Sequence, residues 1–217
     1  MTHSIDVFWS FRSPYSYLAT PDLLRLRGDF DLEVHLRPVL PIAVRTKETL
    51  FTGDQRRVRY LMLDMVRRAQ FLGMAFAAPS PDPIVQDMAT FEVADEQPHI
   101  YRLTGLGVEA ARRGRGLEFA FHISHLIWGG ERGWNEGAKL ANATEKAGLD
   151  LADMEAAIAT NDPMPVIEAN HAALDASGHW GVPTMVFEGE PFFGQDRIDT
   201  LRWRLEKSDV PGRASEA

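Results

Sequence analysis

The 217-residue chain contains no cysteine. That absence excludes a disulfide framework, a CxxC redox pair, thiolate ligation of zinc or iron–sulfur clusters, and a cysteine nucleophile. It is compatible with a reducing compartment. No apolar run approaches the ~20 residues that a membrane-spanning helix needs. The opening MTHSIDVFWSF has no basic segment leading into an apolar one, so no secretory leader is expected, and a cytoplasmic location is. Basic charge is in short supply: 23 Lys and Arg stand against 31 Asp and Glu, a net charge of −8. A nucleic-acid partner, which needs a basic surface, is not expected. The arginine clusters (Arg56, Arg57, Arg59; Arg67, Arg68; Arg112, Arg113, Arg115) read as solvated helix faces. No GxGxxG, P-loop or GxSxG occurs. His122 and His125 share a helical face, but no carboxylate follows at zinc-protease spacing, so no metal site is expected.

What is present is an ordinary globular composition, 45% hydrophobic and 25% charged. The length suits one large domain, or a small one carrying an insertion. Ile5 to Trp9 is short, apolar and rich in β-formers, a buried strand. Ser13-Pro14 fits the N-cap and first position of a helix whose apolar residues (Tyr17, Leu18, Leu23, Leu24, Leu26) follow at helical spacing. Pro21 should kink or restart that helix, and Gly28 should close it. Phe30 to Arg37 alternates apolar and charged residues, a second strand ended by Pro38. From about 54 to 178 the pattern is helical, opening with a stripe of Val58, Leu61, Met62, Met65, Val66 and Ala69. Further helical segments are expected near 97–113, 116–129, 135–147, 150–160 and 164–177. The end returns to β structure. Gly181 to Phe187 is a strand, Glu188-Gly189-Glu190 a hairpin turn, Pro191 to Gly194 a second strand. A last helix carries Ile198, Leu201 and Leu205. The order βαβ, helical block, ββα is that of an α/β thioredoxin-like fold with a large α-helical insertion. The divisions expected are 1–53 with 179–217 for the thioredoxin-like part and 54–178 for the insert.

Chemistry concentrates at three junctions. Ser13-Pro14-Tyr15-Ser16 lies where thioredoxin folds carry their reactive cysteines, with Ser13 and Ser16 at the two cysteine positions. A helix N-terminus offers unpaired N–H groups and partial positive charge, which favour an anion. The Ser13 hydroxyl can donate to an external thiolate there, or simply cap the helix. Gly181-Val182-Pro183-Thr184 offers a candidate cis-proline facing that helix. The preceding residue then pairs with a peptide-like ligand; the plainer reading is a proline at a strand start. Phe193-Gly194-Gln195-Asp196-Arg197 turns from strand to helix, suits a carboxylate through backbone N–H groups, and offers Asp196 to an ammonium.

Taken together, these motifs resemble the kappa-class glutathione transferases and, more closely, the 2-hydroxychromene-2-carboxylate isomerases. Both are DsbA-like proteins with a helical domain inserted in a thioredoxin fold. The resemblance rests on SPYSYLA (Ser13 to Ala19), Leu36-Arg37-Pro38-Val39-Leu40, Arg59-Tyr60 with Asp64, Arg68, Gly73 and Phe76, Ala169-Asn170, GVPT and FFGQDRI. The helices between 97 and 160 add little to it.

The resemblance implies glutathione as cofactor, a small aromatic substrate and a homodimer. It implies that Ser13 meets the glutathione sulfur, that Val182 and Pro183 hold the tripeptide backbone, and that Asp196 with Gln195 or Arg197 holds the γ-glutamyl end. Asn170 corresponds to an asparagine near the substrate. Family members have Thr-Gly-Asn in the loop after the second strand; here the stretch is Thr52-Gly53-Asp54. An acid pointing inward there would repel a thiolate or a substrate carboxylate. Arg12, beside Ser13, is a candidate for a substrate carboxylate or a surface arginine. Tyr15, Tyr17 and Trp180 line an aromatic pocket or belong to the core. The implied reaction is thiolate addition to a conjugated double bond, rotation, and expulsion of the thiolate. A glutathione transferase shares this site, and a non-catalytic peptide-binding module would bind extended peptides at Pro183 with no preference for glutathione.

Overall fold

A computed structural model describes residues 3–46, 55–87, 90 and 92–213. Asp54, with Thr52 and Gly53, lies outside the described residues. Strand β1 (His3–Trp9) runs parallel to β2 (Leu32–Pro38), with Ile5 opposite Val34 and Trp9 opposite Pro38. Parallel neighbours need a crossover, and α1 (Pro14–Asp29) supplies it. Ser13 caps α1 with extended backbone, its hydroxyl accepting the Ser16 N–H at 3.1 Å.

Helix α1 is a single element through both Pro21 and Gly28, ending at Asp29. Pro21 does not restart the helix, and the donor that it removes is replaced locally. Proline cannot donate to the carbonyl of Tyr17 four residues back. The Thr20 hydroxyl donates to that carbonyl instead, at 2.7 Å. Gly28 makes no left-handed cap; the Phe30 N–H closes the helix on the Leu26 carbonyl.

Strand β3 (Thr184–Phe187) pairs antiparallel with β1, and β4 (Glu190–Phe193) antiparallel with β3, giving the order β2-β1-β3-β4. Glu188 and Gly189 both have positive φ, 49° and 83°, the hairpin geometry that matches strand twist. This is a mixed α/β thioredoxin-like fold with a large helical insertion between β2 and β3. Between β2 and β3 lie α2 (Ile42–Arg45), α3 (Gln55–Leu72), α4 (Pro98–Arg112), α5 (Gly116–Trp128), α6 (Lys139–Lys146), α7 (Leu151–Thr160) and α8 (Met164–Ala176). Helix α9 (Ile198–Lys207) closes the described part, entered through a 3-10 turn at Gln195–Arg197.

The sheet is covered on both faces, which is why β1 reads as a nearly continuous apolar run. Ile5, Val7 and Trp9 join the main core with Leu18, Leu23 and Leu26 of α1 and Phe119 and Ile123 of α5. Phe8 points the other way, packing with Val39 and Leu174 of α8. Helix α4 packs on β2 and on α5.

The stripe expected on α3 divides. Ala69 is buried, whereas Met62, Val66 and the neighbouring Tyr60, Leu63 and Phe71 are exposed, Phe71 at 77%. The inward face of α3 carries Leu61, Asp64 and Arg68. Between α3 and α4 the described residues form no helix or named strand, and Ser80–Pro81 there is cis.

Glu109 on α4 is buried and receives Arg112 and Arg113 at 2.6–2.7 Å. The Arg112 guanidinium, followed by Arg113, holds its carboxyl at about 2, against 4.5 ordinarily. A depressed carboxyl contributes stability above its unfolded pKa, and loses it as pH falls toward the folded value. Glu109→Gln is therefore expected to destabilise the protein by about 2 kcal/mol near neutral pH. The difference from wild type should shrink between pH 4.5 and about 2. Urea unfolding at several pH values measures this.

Candidate functional site

Four segments meet at one end of the sheet: the start of α1, the loop entering β3, the turn from β4 into α9, and the inward face of α3. The cleft between them has a volume of about 410 Å³ and is lined by Tyr15, Tyr60, Leu61, Asp64, Arg68, Val182, Phe193, Gly194, Gln195 and Asp196.

Ser13 sits beside this cleft, bonded to a residue that lines it. Its hydroxyl caps α1 and also donates to the Val182 carbonyl at 3.3 Å, a long contact that a better acceptor can displace. Ser16, the second cysteine-equivalent position, is fully buried, and its hydroxyl has no partner among the described residues. The two serines are thus unlike: only Ser13 borders the cleft. The Val182–Pro183 bond is cis. The Pro183 carbonyl accepts the Gly194 N–H at 2.8 Å, which ties the loop entering β3 to the turn after β4. The Val182 N–H has no hydrogen-bond partner among the described residues.

Gly194 has φ 102° and ψ 151°, a region nearly restricted to glycine. That conformation turns the chain sharply enough to set Gln195 inward and Asp196 over the cleft. Gln195 is 7% exposed and accepts Arg68 Nε at 2.7 Å. Asp196 and Arg197 form an exposed pair at 2.9 Å.

Across the cleft, the Tyr15 hydroxyl donates to Asp64 at 2.8 Å. Burial first, then the Asp64 carboxylate, raise the phenol well above its ordinary range, so Tyr15 stays protonated. Arg67 also holds Asp64, at 3.1 Å. Phe193 stacks on His179 with ring centroids 3.9 Å apart, and half-exposed Trp180 continues the stack. Tyr17, by contrast, is a core residue whose hydroxyl donates to the Ala75 carbonyl.

Tyr15, Val182, Gln195 and Asp196 therefore line one cleft, with Ser13, Pro183 and Arg197 adjoining. Two further candidates are engaged elsewhere. Arg12 does not line the cleft; it forms a two-point pair with Asp82 and lies over the Trp128 ring. Asn170 is buried and donates to the Pro38 carbonyl at 2.9 Å, fastening α8 to the end of β2. The neighbouring His171 accepts the Leu40 N–H at 3.0 Å; burial first, then Arg45, hold its pKa at about 4.

The sequence reading did not assign site roles to Tyr60, Leu61, Asp64, Arg68 or Phe193. A signal was available: Tyr60, Asp64 and Arg68 recur at intervals of four, one face of a helix.

The model of the DSBA-like thioredoxin domain family matches residues 4–206. The chain belongs to that family. Among its relatives, a 2-hydroxychromene-2-carboxylate isomerase of Pseudomonas putida is 23% identical over 205 residues, covering 91% of each chain. A solved structure of 2-hydroxychromene-2-carboxylate isomerase superposes with a TM-score of 0.67 at 21% identity, covering 94% of this chain and 95% of that one. Another member, the cytosolic disulfide reductase DsbM of Pseudomonas aeruginosa solved with GSH, superposes at TM-score 0.60 and 17% identity, covering 94% and 98%. Disulfide chemistry of the DsbA kind is closed to this member of the family, which has no cysteine. No helix among its described residues is long and apolar enough to cross a membrane.

Proposed function

We propose that the chain is a glutathione-dependent isomerase of the 2-hydroxychromene-2-carboxylate type, acting on a small aromatic substrate. The observation that carries the reading is the Ser13 hydroxyl: it borders the cleft at a helix N-terminus and reaches across to Val182, in a DsbA-like chain without cysteine. A thiol partner must then come from outside the chain.

The donor set fits glutathione. The open Val182 N–H suits a peptide backbone laid alongside it. The Asp196 carboxylate suits an α-ammonium, and the backbone of the turn at Gln195 suits the neighbouring α-carboxylate. When bound, glutathione supplies a nucleophilic thiolate that adds reversibly to a conjugated double bond and departs after rotation. The protein's part is to keep that sulfur anionic, to exclude water, and to orient the reacting atoms. Ser13 donates one hydrogen bond to the sulfur, and the first turn of α1 contributes its partial positive charge. Tyr15 keeps its proton and donates a hydrogen bond to the Asp64 carboxylate. Phe193 and Tyr60 offer aromatic surface on opposite walls of the cleft.

Calorimetric titration with glutathione tests the reading. Wild type should bind with a Kd near or below about 1 mM. Asp196→Asn should weaken binding about tenfold, since a charge-assisted contact is lost. Turnover should leave the glutathione concentration unchanged, as an isomerase requires and a transferase does not. No heat with wild type would overturn the reading in favour of a peptide-binding thioredoxin fold.

A further inference from the structure

The arginines around the cleft differ in one respect. Arg12 is held by Asp82, Arg67 by Asp64, and Arg197 by Asp196. Arg68 has no carboxylate partner among the described residues. It lines the cleft, and its bond there is to a neutral group, with Nε donating to Gln195 Oε1 at 2.7 Å. Its Cζ lies 5.0 Å from the centroid of the Phe71 ring. A guanidinium carries five donors in a rigid fork. One is used by Gln195, and the Nη groups have no hydrogen-bond partner among the described residues. Gln195 is itself buried, so the anchor that orients the fork is a fixed one. Asp64, which also lines the cleft, makes no ion pair with Arg68; its oxygens accept from Tyr15 and Arg67.

We propose that Arg68 is the carboxylate-binding group of this cleft. Gln195 and Phe71 orient its guanidinium, and the free Nη donors receive the carboxylate of the small molecule that enters. The proposal gives Arg68 the role first considered for Arg12, whose fork is filled by Asp82. It rests on the cleft being the small-molecule site described above. The carboxylate has two sources, an electrophilic substrate or glutathione itself, and paired acid and amide probes separate them.

Binding of cinnamate and of cinnamamide, which have the same shape but exchange the carboxylate for a neutral amide, is measured by calorimetry with wild type, Arg68→Gln and Arg68→Lys. Wild type should prefer the acid by about tenfold, the scale of one charge-assisted pair. Arg68→Gln should bring the ratio near one, and Arg68→Lys should keep part of it. A general disturbance of the cleft weakens acid and amide together and leaves the ratio intact, so the ratio reports charge recognition alone. Glutathione and its glycine-amide derivative are titrated in parallel. Loss of preference in that pair instead would assign the Arg68 carboxylate to glutathione. Equal affinity for acid and amide in both pairs with wild type, or ratios unchanged by Arg68→Gln, would overturn the proposal. The cinnamate pair needs no thiol, so failure of glutathione to bind would end the isomerase reading while leaving this test in force.

Discussion

Ser13→Ala is expected to lower turnover about a hundredfold while leaving the fold intact. Removing a donor aimed at developing or resident negative charge in a water-poor site costs on the order of 3 kcal/mol. The effect should appear in the thiol itself. Bound glutathione should show ultraviolet thiolate absorbance near neutral pH with wild type, and the absorbance should rise only at higher pH with the variant. The direction follows from linkage: a hydrogen bond to the anion lowers the thiol pKa, and deleting it raises it. Each unit of that rise corresponds to about 1.4 kcal/mol of lost preference for the anion. Ser13 also caps α1, and losing a serine cap costs about 1 kcal/mol of stability. A thermal melt therefore accompanies the titration. Thiol behaviour and turnover unchanged in a folded Ser13→Ala protein would remove Ser13 from the chemistry and leave it as a cap. Ser16→Ala is the control, since Ser16 is buried with no ligand-facing atom.

Gly194→Ala should carry the next largest effect, on binding and stability together. The backbone at Gly194, φ 102° and ψ 151°, costs a residue with a side chain about 1–3 kcal/mol. An added Cβ would also lie 2.6 Å from Asp196 Oδ1. Relief by backbone rotation would move the Gly194 N–H off the Pro183 carbonyl and swing Gln195 and Asp196 together. Loss of at least 1 kcal/mol in urea unfolding is expected, with glutathione binding weakened about tenfold or more. A variant with wild-type stability and affinity would mean that the turn does not organise the cleft.

Much of this fold was legible because its local rules agree with one another. Ser13-Pro14 announces a helix start, the alternation from Leu32 to Arg37 announces a strand, and Glu188-Gly189 announces a hairpin. Where one rule met an unseen compensation, the reading slipped. A restart of α1 at Pro21 does not occur, and the Thr20 hydroxyl supplies the missing bond. The stripe on α3 is apolar by periodicity, yet periodicity shows only that a face is apolar, not that another element covers it.

The site was legible in proportion to sequence proximity. SPYS, GVPT and GQDR are each contiguous, and three of the four cleft walls came from them. The fourth wall and its couplings did not. Arg12 meets Asp82 across 70 residues, and Arg68 meets Gln195 across 127. No local pattern encodes which acid an arginine will meet at that range.

The slender attachment of α3 bears on the thermodynamics of occupancy. Among the side chains of α3 that the structure describes, Ala69 alone is buried, and the Tyr15–Asp64 and Arg68–Gln195 bonds supply polar ties to the body. A molecule bridging Asp196 and Arg68 would add a third tie between that wall and the body. Ligands long enough to touch both sides are therefore expected to bind more tightly than fragments that touch one side alone.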